Sequence, residues 1–161
     1  ADLEMPSDTL TTYRDLDEQG IAEEITIVIG QTIDGGLTNL GLTGAIPGAL
    51  TDSPRGVILL SWLALAGPDA EFGQSEIDLF GETLAHEVAH YLGLFHPVEN
   101  NWDHWDYLGD TVECLAEATC EGSLGDNLMY PYPICDSVSC QPQRRLTEDQ
   151  RAVVHRYTGT L

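Results

Sequence analysis

Residues 86–96 read HEVAHYLGLFH, and no other stretch restricts the fold of this chain so tightly. His86 and His90 are four apart, so their rings share one face only if the segment is helical. Gly93 follows, a residue that permits a sharp turn where a β-carbon would hinder one. His96 then lies beyond the bend, where the returning chain can bring it back to the first two rings. Imidazole nitrogen suits Zn2+ at about 2.0–2.1 Å, so His86, His90 and His96 are candidate metal ligands. Three protein ligands leave a coordination position open, which separates a catalytic zinc site from a structural one. Glu87 follows the first ligand, off the line of the two rings, and is the candidate general base. The short pattern H-E-x-x-H arises easily by chance; the added glycine and third histidine make H-E-x-x-H-x-x-G-x-x-H specific.

The surrounding pattern supports the helix. Ile77, Phe80, Leu84 and Val88 recur at helical spacing and form an apolar stripe, while Leu79, Thr83, His86 and His90 lie on another. Ser75, with Asp78 three residues on, is the expected N-cap, and Gly93 the expected stop. Residues Glu24–Ile29 alternate and are β-branched, which predicts a strand. Gly56–Trp62 is a short apolar run, best read as a buried strand. The stretch 30–56 predicts loop with one short strand, and Thr9–Gln19 carries weak helical character. From Pro97 to Gln143 turn residues dominate, and long irregular stretches of this kind are usually functional or cross-linked. Thr147 and Gln150 have the spacing of a capping box, which starts a last helix running to about Tyr157. With 161 residues the chain is expected to be one domain, of class α+β. Its upper part, about 1–93, holds a small mixed β-sheet and the motif helix; its lower part, about 94–161, is loop-rich and closed by the C-terminal helix.

Four cysteines, Cys114, Cys120, Cys135 and Cys140, crowd the loop-rich region. An even count there predicts two disulfides and an oxidising, extracellular compartment, with three pairings open. The spacings lack the C-x2-C knuckle of a cysteine zinc site. Asp and Glu number 27 against 6 Lys plus Arg, a formal net charge of −21. Such a field repels phosphate backbones and anionic membranes, so neither nucleic acid nor a membrane is an expected partner. The longest apolar run, Gly56–Ala66, falls short of the ~18 residues that span a bilayer.

The extended motif resembles that of the metzincin metallopeptidases. A second mark of that family is a methionine turn beneath the metal, and Met129, in Asn127-Leu128-Met129-Tyr130-Pro131, stands in the matching order. Gly109-Asp110-Thr111, the clustered cysteines and the closing Leu146-Thr147-x-x-Gln150 are most similar to the pappalysin-like group. Pro97, directly after the third histidine, is similar to serralysins instead. Several metzincin families carry a tyrosine two residues past the methionine. Here that position is Pro131, with Tyr130 and Tyr132 beside it as candidate transition-state stabilisers. The resemblance implies a secreted, monomeric zinc endopeptidase that binds a protein or peptide substrate extended along a sheet edge. The competing classes are a catalytically silent binding module of the same fold and a zinc amidase acting on a non-protein substrate.

Two further groups bear on metal chemistry. Asp103, His104, Asp106 and Asp110 place hard ligands at short spacing, which suits Ca2+ as well as a solvated acidic loop. Glu113 and Glu117 are the alternative third zinc ligands if the chain follows the gluzincin arrangement, in which a distant glutamate serves. His155, in the last helix, is read as structural.

Overall fold

The computed structural model describes residues 4–5, 25–49, 56–66, 69, 71–137 and 139–158. The layers are set by one strand, Val57–Ser61 (β5), in which all five residues are buried. Side chains alternate across a strand, so a continuous apolar run needs cover on both faces. That is the arrangement found: Val57 and Leu59 pack with Val28, Ile33 and Leu42 on one side. Ile58 and Leu60 pack with Phe80, Leu84, Val88 and Tyr91 on the other.

Around β5 the sheet is small and mixed. Thr26–Gly30 (β2) pairs parallel to it, Thr26 opposite Val57 and Gly30 opposite Ser61. Gly41–Thr43 (β4) pairs antiparallel on the other side, Gly41 opposite Leu60 and Thr43 opposite Ile58. The order is β2-β5-β4, so β4 is an edge strand, and among the described residues no strand pairs with its far side. Glu4–Met5 (β1) and Thr32–Ile33 (β3) form a separate parallel ribbon. The stretch 30–56 therefore carries two short strands rather than one. The expected helix at Thr9–Gln19 lies outside the described residues.

Four helices are described: Trp62–Ala66 (α1), Gln74–Tyr91 (α2), Glu117–Leu124 (α3) and Glu148–Thr158 (α4). The chain is thus a small α+β fold. α2 starts earlier than Ser75 and Asp78 suggest. Its N-cap is Gly73, whose amide donates to the Glu76 carboxylate at 3.0 Å. Phe80, Leu84 and Val88 turn to the sheet, whereas Ile77 is more than half exposed. The helix stops where expected: Gly93 takes φ +101° and donates to the His90 carbonyl at 2.9 Å, while Leu94 donates to Ala89 at 3.0 Å. Positive φ of this kind is why a glycine stands there.

The lower part has two small cores. Val98, Leu124, Tyr130 and the Cys114–Cys120 disulfide form one, with Trp102 and Trp105 against it. Met129, Ala89 and Leu94 form the other, with Val153 and Val154 of α4 packed on it. The second disulfide is Cys135–Cys140, so the pairing is sequential. Each closes a short loop, which in the chain-entropy picture contributes about 2 kcal/mol. Disulfides fit an extracellular protein, and no helix among the described residues is long and apolar enough to cross a membrane.

The capping box of α4 forms as its spacing predicts. The Gln150 amide donates to Thr147 Oγ1 at 3.2 Å, and the Thr147 amide to Gln150 Oε1 at 2.9 Å. Gln150 also exchanges hydrogen bonds with Asn127, at 2.8 and 3.3 Å, and both side chains are buried. Asn127 Oδ1 in turn accepts from the Met129 amide at 2.8 Å. One closed amide pair therefore fixes the turn that carries Met129 to the final helix.

Candidate metal centre

One helix and the loop that follows it bring the three histidines together. α2 supplies His86 and His90 from successive turns, and the chain reversal at Gly93 returns His96 to them. His96 Nε2 lies 3.2 Å from His86 Nε2 and 3.1 Å from His90 Nε2. The far nitrogens are anchored. His86 Nδ1 is 2.7 Å from the Leu128 carbonyl, next to Met129, and His90 Nδ1 is 2.7 Å from the Leu94 carbonyl. His96 Nδ1 is 3.2 Å from each carboxylate oxygen of Glu99. Met129 is fully buried beneath the end of α2, against Ala89 and Leu94.

These contacts decide what the site can hold. A carbonyl or carboxylate oxygen can only accept, so each Nδ1 must carry its proton. Burial, with the neighbouring imidazoles, lowers the pKa of His86 to about 4 and of His90 to about 3. Their rings are then neutral near pH 7, and each presents a bare Nε2 lone pair. The neutral tautomer of His96 that donates to Glu99 presents a third. Lone pairs facing one another at 3.1 and 3.2 Å repel unless a metal ion or a shared proton lies among them. Tetrahedral bonds of 2.0–2.1 Å to one ion would set nitrogens about 3.3 Å apart, close to the spacings found. The three groups fit a metal ion, and they are the one such group of His, Cys, Asp or Glu among the described residues.

Compared with known proteins, this chain matches no family model, no curated protein and no solved structure.

Glu87 is buried and turned toward the edge strand. Its Oε2 accepts from Thr43 Oγ1 at 2.7 Å, and Thr43 Oγ1 also lies 2.8 Å from the Glu87 main-chain carbonyl. Burial pushes the carboxyl pKa up to about 7, against the Thr43 bond, which pulls it down. Gly41 gives the carboxyl its room: a β-carbon there would sit 2.7 Å from Glu87 Cγ and Oε1. His86 and Glu87 line a cleft of about 180 Å3. One wall is the lead-in to β4, from Thr38 to Gly41, and the other runs through Leu128 and Tyr130–Pro133. Glu82 ties that second wall to α2, accepting from the Gln143 amide at 3.0 Å and pairing with Arg144.

Tyr130 and Tyr132 line the same cleft as His86 and Glu87, while the other sequence candidates stand apart from it. The Tyr130 and Tyr132 hydroxyls are 3.4 Å apart, and Tyr132 donates to Glu117 at 3.0 Å. Both rings pack on Trp102. Their hydroxyls are thus committed to each other and to Glu117, and desolvation raises both pKa values. Glu117 serves Tyr132 and Glu113 is exposed, so neither joins the histidines.

Among the described residues the acidic loop, read as suiting Ca2+ or solvent, brings no three ligand groups within reach of one ion. Asp103 pairs with its neighbour His104, and Asp106 accepts from Thr111 and from the Leu108 amide. Asp110 accepts from the Asp149 amide at 2.9 Å, at the N-terminus of α4. That bond lowers its pKa and gives the acid a capping role. His155 is exposed on α4, apart from the triad.

Thr43, Gly41 and Glu99 were not anticipated. Thr43 and Gly41 lie more than 40 residues before Glu87 and carry no local signal. Glu99 had one: an acid three residues past a candidate ligand.

Proposed function

We propose that this chain is a secreted zinc-dependent endopeptidase of the metzincin kind, with His86, His90 and His96 as ligands and Glu87 as general base. The observation that carries it is the meeting of three anchored imidazoles whose free Nε2 atoms are 3.1 and 3.2 Å apart, beside a buried carboxyl in an open cleft. Burial of Met129 directly under the helix end agrees with the methionine turn of that family. Every group the site needs comes from one chain, in keeping with a monomer.

Zinc bound there supplies Lewis-acid activation of a scissile carbonyl and of water. The protein's own residues do the rest. The anchored Nδ1 atoms hold the three rings in one tautomer, so the donor set is preorganised. An extended peptide lies along the outer edge of β4, where among the described residues no strand pairs and main-chain hydrogen bonds fix its register by β-augmentation. Glu87 takes a proton from the attacking water and passes it to the departing amine. Thr43 and Gly41 hold the Glu87 carboxyl at the cleft while this happens.

The direct test is cleavage of an unstructured protein such as casein. Activity is expected to vanish with a chelator and to return with stoichiometric zinc. Intact casein at every zinc concentration, with zinc bound, would favour the silent binding module. Cleavage confined to non-peptide amides would favour the amidase.

Gly41→Ala probes the base without touching a ligand. The new methyl forces Glu87 off its position, and a displacement of about 1 Å can cost roughly 100-fold in rate. Zinc content, read by metal analysis, is expected to stay at wild-type level. A fully active Gly41→Ala enzyme would mean that the Glu87 position seen here is not the one used.

A further inference from the structure

We propose that Glu99 is the positioning residue of the third metal ligand, fixing the tautomer and ring angle of His96 through its Nδ1. The inference rests on the metal-centre reading above and deepens it. The three histidines are not held alike. His86 and His90 belong to a helix whose backbone already aims them, and each Nδ1 needs only a main-chain carbonyl, from Leu128 and Leu94. His96 lies in the loop past Gly93, on no helix or strand. It is the ligand with least backbone restraint, and it is the one given a carboxylate, with both oxygens 3.2 Å from Nδ1.

The carboxylate is itself on a pinned turn. Val98 is fully buried and bridges to Trp105. The Glu99 amide donates to the His104 carbonyl at 2.9 Å, and the Glu99 carbonyl accepts from the Trp102 amide at 2.9 Å. A carboxylate acceptor also does what a carbonyl cannot: its charge makes the imidazole a stronger donor and offsets part of a divalent ion's charge. The bland alternative is a surface ion pair three residues apart. Glu99 is 47% exposed, and pairs that open to solvent contribute little to folding. The two roles therefore separate cleanly, since one acts on metal affinity and the other on almost nothing.

The experiment uses the full chain stripped of metal and titrated with zinc against a chromophoric chelator at fixed pH. Glu99→Ala is expected to weaken zinc binding about 10- to 100-fold, the usual cost of losing an outer partner. Glu99→Gln, which keeps an oxygen acceptor without the charge, is expected to recover part of that loss. Thermal unfolding of the metal-free proteins is expected to coincide, and the visible spectrum of the cobalt-substituted alanine variant to shift. If Glu99→Ala unfolds, the near-isosteric Glu99→Gln carries the comparison alone, and wild-type affinity and spectrum in it overturn the proposal. Zinc bound normally by wild type and both variants would remove Glu99 and leave the metal centre standing. Failure of the wild-type chain to bind zinc would overturn both.

Discussion

Replacing Glu87 by glutamine is expected to leave zinc loading intact and to slow peptide cleavage by about 10^2- to 10^4-fold, the range that general-base catalysis contributes. The substitution suits the site. The carboxyl fills a tight space between Thr43 and Gly41, so an alanine would open a cavity and confuse lost chemistry with lost packing. A carboxamide has the same shape, and its oxygen still accepts from Thr43 Oγ1. What it loses is the capacity to take up a proton and release it. Glu87 bonds none of the three rings, so their Nδ1 anchors at Leu128, Leu94 and Glu99 are untouched. The measurement pairs metal analysis with single-turnover hydrolysis of a quenched peptide. A zinc-loaded glutamine variant that cleaves at the wild-type rate would show that another group moves the proton.

The local parts of this site were legible in the sequence, and the assembled parts were not. His86, His90, Gly93 and His96 follow from helical spacing and one backbone requirement, both properties of eleven consecutive residues. The Thr147–Gln150 box follows from a three-residue spacing in the same way. The start of α2 did not, because two acid-bearing boxes compete at its end. Ser75 has the better side chain, but Glu76 reaches back to the Gly73 amide and starts the helix two residues earlier. α3 carries no such local mark, since it buries only Cys120 and Leu124 and shows no apolar stripe. The acidic loop had the composition of a calcium site, yet composition does not say where carboxylates point. Asp110 spans 39 residues to reach the Asp149 amide, a contact no local pattern announces. Thr43 and Gly41 reach Glu87 only because β4 pairs with β5 and α2 packs against the same sheet.

Replacing His96 by alanine is expected to reduce zinc affinity by more than about 100-fold, beyond the cost of any outer-shell change. Two imidazoles would remain on α2, and two histidines at helical spacing do not complete a zinc site of this type. Thermal unfolding gives a direct readout. At zinc a hundredfold above its Kd, the wild-type chain gains about 2.7 kcal/mol. For a domain near this size that raises Tm by about 5–10 °C. The alanine variant is expected to lose that shift. Without metal it should unfold no lower than wild type, because His96 brings a lone pair to within 3.2 Å of two others. Removing it relieves repulsion in the metal-free protein while destroying the loaded one, a pairing of effects that a merely structural histidine does not produce. Glu113→Ala and Glu117→Ala complete the comparison. Glu117 serves the Tyr132 hydroxyl, so neither change is expected to alter the zinc-induced shift. A full shift in His96→Ala, lost instead in either glutamate variant, would transfer the third coordination position to a carboxylate and with it the chain to a different class of zinc enzyme.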